Sequence, residues 1–170
     1  IFNEDDNDLV ELEKKELVEI ISVGALKYTI LRQGIGGNII YDNAKATSFE
    51  GDSGPYLQYA AVRANTVLKK AIEVGMDKKI KEIPKDINDL ERKIIRFPYM
   101  VSRAREEYSP NIVAGYLIDL AGEFNSFYAK EKIIDENNKF SNYRLVLTQA
   151  FFDVMKNGLY ILGIKVPNKM

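Results

Sequence analysis

The chain has 170 residues, 46% hydrophobic and 29% charged, enough for one domain with a buried core and too apolar for disorder. Cysteine and histidine are both absent, which removes disulfides, thiolate nucleophiles, zinc and iron–sulfur ligation, and every Ser-His-Asp or Cys-His catalytic arrangement. The net charge of −1 hides an uneven spread: residues 1–20 carry eight acids against two bases, and the remaining residues carry 17 acids against 22 bases.

Residues 1–33 read as a charged helix running into a less polar one, with Leu9, Leu12, Leu17, Ile20 and Ile21 near helical spacing and Ala25 to Leu31 continuing apolar. The acidic start holds no apolar signal-peptide core, and no apolar run approaches the ~18 residues of a bilayer span, so a cytoplasmic protein without a membrane partner is expected. Gly34, Gly36, Gly37 and Asn38 break the helix, and residues 34–50 form an irregular connection with a short extended stretch at Ile39-Ile40-Tyr41. These glycines lack a preceding strand and a Gly-Lys-Ser/Thr ending, so a flexible loop is expected, not a phosphate cradle. Asp52-Ser53-Gly54-Pro55 then signals a new helix, with a capping side chain followed by proline in the first turn.

Leu57, Ala60, Ala61, Ala64, Leu68, Ala71 and Ile72 form the apolar stripe of that helix, which Gly75 ends. A basic connection, Lys78 to Lys85, follows. Asp86 is the predicted cap of a helix through Ile87, Leu90, Ile94 and Ile95, and Pro98 forces a new start that carries on to Tyr108. Ser109-Pro110 repeats the cap-and-proline signal ahead of the clearest periodicity in the chain: Ile112, Val113, Tyr116, Leu117, Leu120, Ala121, Phe124, Phe127 and Tyr128. After a polar loop, Ser141 or Asn142 caps a last helix with the stripe Leu145, Phe152, Met155, Leu159 and Leu162, and Pro167 ends regular structure. The fold class is all-α, an antiparallel helical bundle.

Two patterns carry functional weight. Twelve bases against six acids lie between Arg63 and Arg105, which suits either a polyanion partner or a solvated helical surface. On the helix after Pro55, advancing 100° per residue from Leu57 gathers Tyr56, Tyr59, Arg63, Thr66 and Lys70 roughly 130° from the apolar stripe. Phenol rings followed by cations suit a surface that stacks on unpaired bases and holds the adjacent backbone; a second packing face is the structural alternative. No acidic cluster outside the first helix forms a magnesium site, and no metal-binding residues are assigned.

Phe49-Glu50-Gly51-Asp52-Ser53-Gly54-Pro55-Tyr56-Leu57-Gln58-Tyr59-Ala60, with Arg63 one turn on, resembles the entry into the C-terminal helical domain of class I arginyl-tRNA synthetases. The likeness continues through Tyr116-Leu117-x-Asp119-Leu120-Ala121, Phe124-Asn125-x-Phe127-Tyr128, Arg144-Leu145, Gly158-Leu159, Leu162-Gly163-Ile164, Pro167 and Met170. Upstream, Val23-Gly24-Ala25-Leu26-Lys27-Tyr28 resembles the helix that follows the catalytic part. The resemblance implies a DALR-type anticodon-binding domain over 51–170 and a connecting segment over 1–50. It implies tRNA-Arg and the remainder of the synthetase as partners, and Tyr56, Tyr59, Arg63, Tyr128 and Met170 close to the anticodon loop; Lys70, from the helical stripe, would add backbone attraction.

The parent enzyme would join arginine to its tRNA with ATP and magnesium. A chain without histidine has no HIGH motif, and it has no KMSKS sequence, so the expectation is a fragment that forms no arginyl adenylate by itself and needs no cofactor of its own. The start at Ile1 agrees with truncation or processing. The alternatives are a helical protein-interaction module without RNA binding and the equivalent domain of a cysteinyl-tRNA synthetase. Tyr56, Tyr59 and the closing Pro-x-x-Met favour the arginine enzyme.

Overall fold

A computed structural model describes residues 4–170, with side chains from residue 11 onward, so Leu9 of the first apolar series lies outside the described side chains. The described residues form seven helices and no strand: α1 (Glu4–Leu31), α2 (Asn43–Ala46), α3 (Gly54–Glu73), α4 (Asp89–Ile94), α5 (Phe97–Glu106), α6 (Asn111–Lys130) and α7 (Ser141–Ile161). Ile39-Ile40-Tyr41 is irregular and exposed, not extended in a ladder, because no neighbouring strand offers it partners.

The core lies where α3, α6 and α7 meet. Leu57, Leu117, Leu120, Leu145, Met155 and Leu159 are fully buried there, and the rings of Phe124 and Phe151 stack with centroids 3.9 Å apart. Both α3 and α6 run against α7: Gln58 reaches Lys165 while Asn142 reaches Asp77, and Gly158 sits against Leu117 while Phe151 sits against Phe124. The short helices α4 and α5 cover α6 from another side, with Phe97 stacked on Tyr116.

Helix α1 joins this body through its second half. Gly24, Ala25, Tyr28 and Thr29 are buried, whereas Leu12 of the predicted apolar series is 60% exposed and Leu17, Ile20 and Ile21 are half-buried. The α1–α3 crossing depends on two small residues. A Cβ on Gly54 would stand 2.5 Å from the Gly24 carbonyl oxygen, and one on Gly24 would meet the Gln58 amide nitrogen at 2.7 Å.

Several boundaries differ from expectation, each for a tertiary reason. Ser53 caps α3 through the Tyr56 N–H, as read from the sequence, and α3 ends in a Schellman turn in which Gly75 (φ +71°) and Met76 donate to Ile72 and Ala71. Ile72 itself is 70% exposed and leaves the stripe. Asn88, not Asp86, caps α4. Ser109 does not cap α6, since its hydroxyl donates to the Glu107 carbonyl beyond the left-handed Tyr108 (φ +50°). Neither Ser141 nor Asn142 caps α7: Ser141 bridges the Asp135 N–H and the Ile133 carbonyl, and Asn142 holds Asp77. On α7 the fully buried phenylalanine is Phe151, and Phe152 is half-buried.

Candidate nucleic-acid interface

The Ser53 cap and Pro55 start α3 so that Tyr56 falls in its first turn and Tyr59 and Arg63 follow on the same face at i+3 and i+7. The loop ahead of the cap is pinned from α1. The Asp52 carboxylate accepts from the Tyr28 phenol and, at 2.5 Å, from the Arg32 guanidinium. Burial, reinforced by that carboxylate, pushes the Tyr28 phenol far above its ordinary pKa, so it stays a donor. Ser53 also donates to the Ser48 carbonyl, which draws Phe49 onto the side of α3 that carries Tyr59.

The phenols expected to stand clear of the core are half-buried instead. Tyr56 packs partly against the core cluster, while Tyr59 and Arg63 keep intermediate exposure. The guanidinium carbon of Arg63 lies 4.6 Å from the Tyr59 ring centroid and 5.3 Å from that of Tyr128 on α6. Phe49 meets Tyr59 edge-on at 6.3 Å, and Tyr128, 42% exposed, leans on buried Phe124. A guanidinium between rings at this depth contributes about 0.5–2 kcal/mol. The result is a preassembled stack of alternating rings and cation spanning α3 and α6.

One hydrogen-bond chain fixes it. Arg63 Nη1 donates to Asn125 Oδ1 at 2.7 Å, and Asn125 Nδ2 donates to the Tyr56 hydroxyl at 2.8 Å. Tyr56, Tyr59, Arg63 and Tyr128 therefore come together, the first three from one helix and Tyr128 from α6.

Lys70 lies exposed two turns further along α3. Met170 is half-buried at the end of a tail whose Lys169 pairs with Glu13 of α1 at 2.9 Å, and it takes part in none of the bonds or ring contacts of the cluster among the described residues. Sequence reasoning gave no role to Asn125 or Phe49. Both stood inside quoted motifs, but the signal that they matter is a partner on another segment, which one helical wheel does not contain. No group of three acidic side chains able to hold a metal occurs among the described residues.

Comparison with known proteins places the chain in a family. Residues 57–170 match the DALR anticodon binding domain. The arginine–tRNA ligase of Pyrococcus furiosus is 33% identical over 179 residues, covering 100% of this chain and 28% of that protein. That of Fusobacterium nucleatum is 35% identical over 176 residues, covering 100% of the chain and 31% of the ligase. The solved Thermus thermophilus arginyl-tRNA synthetase superposes with a TM-score of 0.78 and 29% identity, over 92% of this chain and 28% of that one. The chain thus spans under a third of the length of these relatives. It belongs to the DALR anticodon-binding domain family, in the form carried by arginine–tRNA ligases.

Proposed function

We propose that the chain is the anticodon-loop recognition unit of an arginine–tRNA ligase, with tRNA-Arg as its RNA partner. Residues 51–170 form the recognition unit, and residues 1–50 connect it to the remainder of the ligase. Tyr56, Tyr59 and Tyr128 supply faces for unstacked bases. Arg63 directs its remaining N–H groups at a base edge or phosphate, Lys70 attracts the backbone, and Met170 offers an apolar contact from the tail. The parent attaches arginine using ATP with magnesium, in the cytoplasm, and this chain contributes grip without adenylate chemistry. No described helix is long and apolar enough to cross a membrane.

The observation that carries the reading is the Arg63 guanidinium held between the Tyr59 and Tyr128 rings, with Tyr56 bonded to the same cluster. A pocket with no aromatic partner would need only the cation; this one keeps π-faces at the surface. Titration of a labelled tRNA-Arg anticodon stem-loop tests it. Tyr59→Ala is expected to weaken binding about tenfold, since one base stack contributes about 1–3 kcal/mol, while the far-UV circular dichroism stays unchanged. Equal binding by the two proteins rejects stacking at this site, and equal binding of cysteine tRNA rejects the arginine assignment.

A further inference from the structure

Asn125 joins Arg63 and Tyr56, and the chemistry of its two partners fixes which way its amide faces. A guanidinium only donates, so the Asn125 carbonyl oxygen must face Arg63. The amide NH2 then faces Tyr56 and donates to the phenol oxygen at 2.8 Å. The phenol proton cannot point at a donor, and among the described residues the Tyr56 hydroxyl donates to no acceptor. Tyr56 is half-buried, and the Asn125 donor leaves this proton to be given away from that amide.

We propose that Asn125 is a positioning residue that holds Tyr56 as an outward hydrogen-bond donor, so that the first turn of α3 selects a loop nucleotide presenting an acceptor, a carbonyl oxygen or ring nitrogen, over one presenting an exocyclic amine. This rests on the RNA-recognition reading above and refines it: the ring gives stacking to any base, and the fixed proton gives discrimination. A buried or half-buried polar group left facing a like group is penalised, which is how one hydroxyl becomes selective.

The test is a double-mutant cycle on the 170-residue chain, read by binding of the tRNA-Arg anticodon stem-loop. Tyr56→Phe keeps the ring and removes the proton; it is expected to weaken binding about three- to tenfold, the worth of one hydrogen bond. Asn125→Asp substitutes a carboxylate that accepts from both Arg63 and Tyr56, turning the phenol proton inward. Its charge-assisted bond to Arg63 keeps the melting temperature at or above that of the parent chain, yet binding should fall at least as far as in Tyr56→Phe.

The added charge also repels RNA, but equally in both backgrounds, so the cycle removes it. The cost of Asn125→Asp is expected to shrink in the Tyr56→Phe background by about the fold-change of Tyr56→Phe alone. If Tyr56→Phe binds as the parent does, or the two costs simply multiply, Asn125 is a packing residue and the proposal is overturned. Should Asn125→Asp fail to fold, Tyr56→Phe decides alone. A parent chain that binds no RNA overturns the site reading and this proposal together. Binding that Tyr59→Ala weakens and Tyr56→Phe leaves unchanged overturns only the proposal.

Discussion

Arg63 occupies the middle of the ring stack, and its shape matters as much as its charge. A planar guanidinium can lie over Tyr59 while one edge donates to Asn125, and it still has further N–H groups to offer. An ammonium is a point charge and cannot do all three. Arg63→Lys is therefore expected to weaken anticodon stem-loop binding several-fold, on the order of 1 kcal/mol, with little change in melting temperature. Binding retained in full would mean that only the positive charge is used. The spacing of Tyr56, Tyr59 and Arg63 was legible because one helix sets it. Asn125 and Tyr128 reach the same point from α6, and their approach depends on how two helices slide past each other, a quantity no single periodicity records.

At the scale of elements, local signals succeeded where nothing competed with them. Ser53 caps α3 and Gly75 ends it because both act on their own helix. Ser109, Ser141 and Asn142 look equally competent in sequence, but their side chains are engaged by Glu107, Ile133 and Asp77. Glycines divide in a similar way. Gly54 faces the α1 backbone, so Gly54→Ala must push α1 off α3, at a cost of about 2–3 kcal/mol. Gly115, on the exposed side of α6, has nothing within 4 Å of an added Cβ, and Gly115→Ala is expected to stabilise by about 0.4–1 kcal/mol. Urea unfolding of the two variants checks this pair; the same sign for both would contradict the close α1–α3 approach.

For the whole molecule, three phenols tie stability to alkaline pH. Burial raises Tyr116 to about 12; burial and a hydrogen bond to Glu91 raise Tyr143 to about 12; and Tyr28 is raised further by burial and Asp52. The folded chain thus holds these protons more tightly than the unfolded chain, whose tyrosines ionise near 10. The contribution of Tyr116 and Tyr143 is fully present below pH 10 and is lost as pH rises through 12. Parallel phenolate absorbance and circular dichroism titrations should show the last tyrosines ionising together with loss of helix above pH 10. Ionisation of all ten near pH 10 with helix retained would refute it. The all-helical architecture was legible because 3.6-residue periodicity recurs through long segments. The exposure of Leu12 on α1 was not, since in sequence it reads like any position of an apolar stripe.

The Gln58 side chain is entirely buried and donates to Ile20 of α1 at 3.1 Å and to Lys165 of the tail at 2.8 Å. A polypeptide shortened to begin at residue 57, where the family likeness starts, would keep this amide and lose the carbonyl that receives it from α1. It would also lose the Ser53 cap and the Tyr28 ring, which belongs to the same buried core as Leu57. The smallest autonomous piece of this chain is therefore wider than the stretch its family model matches: scissors must fall upstream of Ile20, and α1 is as much a wall of the helical body as any helix within residues 57–170.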